Sequence, residues 1–421
     1  MNKHKHSMNS GHLVAIFLSA ATGSAIASGF DLPDQDAFAV GRGLAVTATA
    51  DNPSAIFYNP AGLTQLSGNN FQIGGYGIYL DPKYTSPSSG NTYHNQIPWG
   101  GIPQFFYAYG NEEKSYSVGL GVYVPAGLSV RWPQDTGFRT LGTEASVEQI
   151  AINPVVAFKL LPTLSIGVGV SANYASMDLQ QGIFWPNQPY DKFEFQGDGW
   201  GAAGNFGVLW QPVDEWSFGA AFQTGTKITL SGHTSAYNNT ALPGYPTFNT
   251  STSANADLQI PMKVETGVSY RPTPKWNIEA DATYIDWNKL NTINIQQAAA
   301  FPPLFPKNIP VTLQWESSCY LELGATRYFD NGWHVSGGYI FNQNSVPSAH
   351  YTTVVADENR HFFSAGLGHK GEQFDFDVAY QFGYGPDRNV SGSAPSAAGQ
   401  TADGTYGFIS HAVAVSVIWH F

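Results

Sequence analysis

The sequence has one cysteine, Cys319, among 421 residues. That excludes an internal disulfide framework and any metal site built from several thiols. Charge is also scarce. Asp, Glu, Lys and Arg make up 12% of the chain, about half the usual share. The balance is acidic, a formal net charge of −12, which excludes a nucleic-acid partner because that needs basic surface. After an apolar stretch at residues 13–26, no run is long enough to cross a bilayer as a helix. No G-x-S-x-G, H-E-x-x-H or Walker A pattern occurs, so no enzyme chemistry, metal or cofactor is expected. Gly366, Gly368 and Gly371 have G-x-G-x-x-G spacing. They cross a strand and a short turn instead of opening a helix, so the nucleotide reading fails its context.

What is present starts with an export signal. Lys3 and Lys5 precede the apolar stretch, and Ala25-Ile26-Ala27 fits the small-x-small cleavage rule, which places the cut after Ala27. Aromatics make up 14% of the chain and glycines number 45. Low charge with many aromatics and no helix-length apolar run suits a membrane barrel, whose lipid face needs only every second residue to be apolar.

The alternation itself is clearest at the end of the chain. Val413, Val415, Val417, Trp419 and Phe421 share one face, opposite Ala412, Ala414, Ser416, Ile418 and His420. Upstream, Phe374, Phe376, Val378, Tyr380, Phe382 and Tyr384 oppose Asp375, Asp377 and Gln381. Trp276, Ile278, Ala280, Ala282 and Tyr284 oppose Asn277, Glu279, Asp281 and Thr283, and Trp216, Phe218, Ala220 and Phe222 repeat the theme. A period of two with aromatics at strand ends predicts lipid-facing strands with interfacial girdles. Carboxylates on the opposite face predict a polar, solvated interior, and paired acids such as Asp375 with Asp377 then belong to the wall, not to acid–base chemistry.

Short turns sit at residues 110–112, 161–163, 212–214, 271–274, 330–332 and 370–372. Longer polar or proline-rich stretches alternate with them, at 81–100, 131–143, 180–196, 233–254, 291–312, 344–357 and 385–404. That rhythm predicts tight periplasmic turns and long external loops. The expected fold is all-β, a fourteen-stranded antiparallel transmembrane barrel. Such a barrel has an open lumen. Residues 28–67 lack sustained alternation yet carry Phe30, Phe38, Ile56, Phe57 and Leu63, which predicts a plug inside the barrel. The division is then signal peptide 1–27, amino-terminal hatch 28–68 and barrel 69–421.

Ser28-Gly29-Phe30, Gly41-Arg42-Gly43 and residues 56–62, with Asn59-Pro60-Ala61-Gly62, resemble the hatch of the FadL/TodX family. The resemblance extends through residues 200–205, 258–261, 284–287, 345–347 and 357–366. It implies outer-membrane transport of long-chain fatty acids or aromatic hydrocarbons in a Gram-negative bacterium. Ligand would be captured among the external loops and held in a pocket above the hatch. A shift of Ser28, Gly29 and Phe30 would release it, and it would leave sideways at a kinked third strand next to the Asn-Pro-Ala turn. That strand spans residues 116–131 and holds Tyr123-Val124-Pro125-Ala126-Gly127, where proline cannot donate to a ladder. The expected partners are a hydrophobic small molecule and outer-membrane lipid, with a monomer the simplest state. The basic pocket positions of fatty-acid carriers match Ser176 and Glu316 here. Parity places Glu316 on the polar face with Ser318, Tyr320 and Glu322, where it would repel a carboxylate, and this leans the expectation towards uncharged hydrocarbons. A general porin, and less readily a lipid-modifying enzyme, are the competing readings.

Overall fold

The computed structural model describes residues 29–184, 191–239 and 247–421. The expected export signal and Ser28 lie outside the described residues. Fourteen antiparallel strands close into one barrel. They are β1 Gly68–Thr85, β2 Trp99–Gly110, β3 Tyr116–Arg131, β4 Glu144–Leu161, β5 Leu164–Gln181 and β6 Lys192–Val213. The next four each run in two pieces: β7 Trp216–Gln223 and Thr226–Asn238, β8 Phe248–Ile260 and Lys263–Thr273, β9 Trp276–Ile285 and Thr292–Gln297, β10 Asn308–Thr312 and Ser318–Tyr328. The wall ends with β11 Trp333–Asn342, β12 Arg360–His369, β13 Phe374–Val390 and β14 Gly404–His420. β14 returns to β1 in the register Asn70↔His420 through Thr85↔Thr405 and closes the ring.

The alternation maps onto the two sides of this wall. Val413, Val415, Val417, Leu321, Leu323 and Val335 are exposed on the outside, while Ala412, Ala414 and Ile418 are buried. Trp210, Trp216, Trp276, Phe374 and Trp419 are exposed near the ends that carry the short turns, and Trp99, Trp200, Tyr284 and Tyr384 near the other ends, as two interfacial girdles require. All six short turns fall between strands at one end. The long loops are shorter than the sequence suggests. β1 runs on to Thr85, β7 to Asn238 and β13 to Val390. Beyond the lipid, both faces of a strand meet water or loops, so Thr, Ser and Asn replace the apolar half of the pattern and the period disappears while the ladder continues.

The interior is not the solvated channel that the luminal carboxylates suggested. Residues 29–67 fill it, with a short helix α1 (Ala37–Gly41), a second, α2 (Ala55–Tyr58), and a 3-10 turn (Pro60–Gln65). Phe30, Phe38, Ile56, Phe57 and Leu63 are all at most 5% exposed. Burying each such side chain stabilises the seat by roughly 1.5–3 kcal/mol.

Candidate functional site: a hatch, a kinked strand and two cavities

The hatch is held by main-chain contact and by the acidic wall of β8 to β10. An ideal Cβ on Gly338 would stand 2.1 Å from the carbonyl carbon of Arg42, and one on Gly324 2.3 Å from its oxygen. Only glycine lets the two backbones approach this closely, and Gly43 on the hatch side takes a φ of +61°. The fully buried Arg42 guanidinium reaches Glu279 and Asn277, both at 3.3 Å. The Glu279 carboxylate also accepts the Ala48 N–H at 2.6 Å and the Thr49 N–H at 3.2 Å. Asp281 accepts the Thr47 N–H at 2.8 Å, and the Thr47 hydroxyl donates to Glu265. The luminal acids are therefore hydrogen-bond acceptors for a turn of the plug.

The Asn-Pro-Ala turn docks in the same manner. Asn59 caps the 3-10 turn by accepting the Ala61 N–H, and its amide donates to Thr47 O at 2.8 Å and Val208 O at 3.0 Å. Cβ atoms on Gly167 of β5 and Gly207 of β6 would collide with Pro60 and Asn59. The turn thus lies in notches made by the glycines of β5 and β6, while its flanks reach β3, where Ser117 donates to Leu63 O at 2.8 Å and the Phe57 and Tyr123 rings are 5.2 Å apart. Gly338→Ala should force the hatch from its seat at a cost of about 1–3 kcal/mol. The near-UV dichroism melting temperature in detergent should fall, and an unchanged value would show that the hatch does not press there.

What meets the kink is the amino-terminal tip. β3 pairs with β2 only from Phe105↔Val122 to Gly110↔Ser117. Against β4 it has one extra residue between Tyr123↔Ala151 and Ala126↔Gln149, a bulge that bends the strand. Residues 99–104 of β2 pair with β1 but not with β3, and contact resumes where the Gln96 N–H donates to Arg131 O at 2.8 Å. The wall has a window between these points. On its inner side, Leu32 N–H donates to Pro125 O and Gly127 N–H to Phe30 O, both at 2.9 Å, around the bridge Asp31↔Ala126. Gln35 adds a side-chain bond to Val124 O at 2.7 Å. Residues 30–32 thus act as a short strand on the edge that β2 leaves bare. Burial pushes the neighbouring hatch carboxyls up, Asp34 to about 7 and Asp36 to about 6.

Two cavities meet at this tip. The outer one is a partly open space of about 830 Å³ and is mainly apolar, lined by Leu128, Val147, Met177, Leu290, Ile293 and Trp315 among others, with Phe30 as its floor. Its one carboxylate, Glu144, is paired with Arg131 at 2.5 Å. The inner cavity is a partly open space of about 640 Å³ that carries more polar groups, Gln149, Asn153, Asn173, Asn205 and Lys263 among them, and it reaches Tyr123, Pro125 and Ala126 at the kink. Phe30 and Trp287 border it from above, with ring centroids 4.9 Å apart.

Tyr123, Val124, Ala126 and Gly127 are buried at the window, and Gly29 and Phe30 sit between Trp287 and Trp315. Ser176 and Glu316 line neither cavity. Ser176 is on the outer face of β5, between the buried Ala175 and Met177. Glu316 is exposed, because the two pieces of β10 are out of phase: Leu313 and Trp315 are buried before it, and Ser318 and Tyr320 after it. One extra residue inverts the parity that put Glu316 inside. Lys263, Trp287 and Trp315 were not foreseen. Their signal is an apolar or cationic residue standing just outside an alternating run.

Residues 18–421 match the family described as outer membrane protein transport protein (OMPP1/FadL/TodX). The chain belongs to that family. It is an outer-membrane transporter and not an enzyme. It is 24% identical over 404 residues to a long-chain fatty acid transport protein of Salmonella typhi, covering 88% of this chain and 91% of that one. Its fold is shared by a Pseudomonas aeruginosa FadL homologue, with a TM-score of 0.82 at 19% identity over 93% of this chain and 100% of that one. The Ralstonia pickettii toluene transporter TbuX gives 0.71 at 16% identity over 94% and 99%. At these identities the FadL/TodX structures speak for the fold alone.

Proposed function

We propose that this FadL/TodX member carries long-chain fatty acids or aromatic hydrocarbons from the cell exterior into outer-membrane lipid. Ligand enters the apolar cavity and rests above Phe30. The tip, Gly29 to Leu32, then moves, and the ligand leaves sideways between β2 and β3. The observation that supports this most is one residue in two roles: Phe30 floors the apolar cavity, and its carbonyl occupies the bare edge of β3. Each methylene taken into such a cavity contributes about 0.8 kcal/mol, so alkyl and aromatic ligands bind without a dedicated set of polar contacts. Lateral exit spares them transfer into water. In this reading residues 1–27 are removed on export, 28–68 form the hatch, 69–421 form the barrel, and the protein works as a monomer.

The test is uptake of labelled oleate and labelled toluene by a Gram-negative host lacking its own transporters. Uptake of either compound supports the proposal, and uptake of neither by correctly inserted protein overturns it. Ile293→Asp places a charge in the apolar cavity. It should weaken ligand binding at least tenfold, about 1.4 kcal/mol, as read from tryptophan fluorescence. A variant that binds normally would place the ligand elsewhere.

A further inference from the structure

The lipid-facing side of the wall has a hollow in it. Across β8 to β11 the register sets out rows of outward side chains. One row runs Val268, Ala280, Leu323, Tyr339, and the next towards the short turns runs Tyr270, Ile278, Ala325, Gly337. Ala280, Ala325 and Gly337 leave the surface low among larger neighbours. The result is an open groove of about 930 Å³, rimmed by Trp216, Tyr270 and Tyr339. The hatch seat does not require this hollow. Gly324 and Gly338 point inward, against Arg42. Gly337 needs no positive φ, and a Cβ there would meet nothing closer than the Ser364 carbonyl oxygen at 3.8 Å.

A cation stands at the short-turn end of the groove. Trp276, Arg327 and Val335 form the next outward row, so Arg327 lies two residues from Ala325 on one face, about 7 Å along the strand. Its guanidinium lies over the Trp276 ring at 5.2 Å and the Phe329 ring at 5.9 Å. Among the described residues it makes no hydrogen bond and no salt bridge. Asp330, the carboxylate that feels its charge, is taken by Lys275 at 2.6 Å. The N–H donors of Arg327 therefore stand at the membrane interface without a protein acceptor.

We propose that this groove holds an acyl chain of a phospholipid from the periplasmic leaflet, with the lipid's phosphate on Arg327. The charges are complementary, because a guanidinium fork matches two phosphate oxygens. The dimensions agree as well. Arg327 to Leu323 is four residues, about 13 Å of strand, against about 15 Å for one leaflet of the hydrocarbon core. The rim aromatics lie at the level where such rings meet lipid head groups. The site is on β8 to β11, apart from the window between β2 and β3, so it goes beyond the transport reading and does not depend on it. The lipid packs on the outer face of the same strands, β10 and β11, whose inner face grips Arg42.

The experiment uses the full mature protein in detergent, with dipalmitoyl phosphatidylglycerol and dipalmitoylglycerol as probes. Native mass spectrometry counts the lipid retained as the micelle is stripped. The wild type should keep one phosphatidylglycerol per barrel, and the uncharged lipid with the same chains at least tenfold less. Arg327→Gln should lose that preference. Gly337→Leu fills the hollow and should keep neither lipid. Ala325→Leu fills it from the neighbouring strand and should behave alike, and near-UV dichroism confirms that each variant is folded. Equal retention of the two lipids by the wild type, retention of neither, or undiminished phosphatidylglycerol on the folded variants would overturn the proposal. So would a dimer that Gly337→Leu dissociates, because a second copy of the chain would then fill the groove.

Discussion

Deletion of Pro125 should abolish uptake while leaving ligand binding intact. The bulge in β3 is one residue long, since Tyr123 faces Ala151 and Ala126 faces Gln149. Without Pro125, residues 123, 124 and 126 would meet 151, 150 and 149 one to one, and the flanking residues would keep their faces. The straightened strand would also regain a donor that proline lacks. Its edge could then continue the ladder with residues 99–104 of β2, where pairing now stops at Phe105↔Val122. The expected outcome is a fall in labelled oleate or toluene uptake of at least tenfold, with tryptophan-detected binding unchanged because the outer cavity draws on many other strands. Uptake at the wild-type level would mean that ligand does not leave through this window.

Deletion of residues 30–66 should turn a silent barrel into an ion channel. The closing pairs between β1 and β14 begin at Asn70 and involve no hatch residue, so the wall can close without the plug. The lumen would then be lined by Glu265, Glu279, Asp281, Glu322, Asp375 and Asp377, all now buried against the hatch or one another. Acidic linings select cations. Planar-bilayer recordings should therefore show steady conductance that favours potassium over chloride, against none for the intact protein. A closed truncated barrel would place the seal in the external loops, and an anion-selective one would contradict the acidic lining.

The wall was legible in the sequence because its cause is local. A strand with lipid outside and protein inside must alternate, and Val413 to Phe421 or Phe374 to Tyr384 state that period without help from the rest of the chain. The third strand and its proline break were readable for the same reason. What the sequence concealed depends on contacts between distant segments. The acids of β8 to β10 looked like the lining of a water-filled lumen, since nothing local shows that Thr47, Ala48 and Thr49 donate to them. The parity count failed at Glu316 because a single irregular residue, with Gln314 at a φ of +45°, inverts the faces beyond it. Lys263 was passed over because its significance lies in Asp31, which is 232 positions away (263 − 31).

The glycine notches also order the steps by which the protein is made. Arg42 is gripped by the main chain at Gly324 and Gly338, and Pro60 by that at Gly167. A plug seated this tightly by strands from opposite parts of the wall cannot be threaded into a finished barrel. Its last residues run directly into β1, whose Asn69 N–H donates to the carbonyl of Phe421 at 3.0 Å. The seam between the first and last strands therefore closes after the plug is in place.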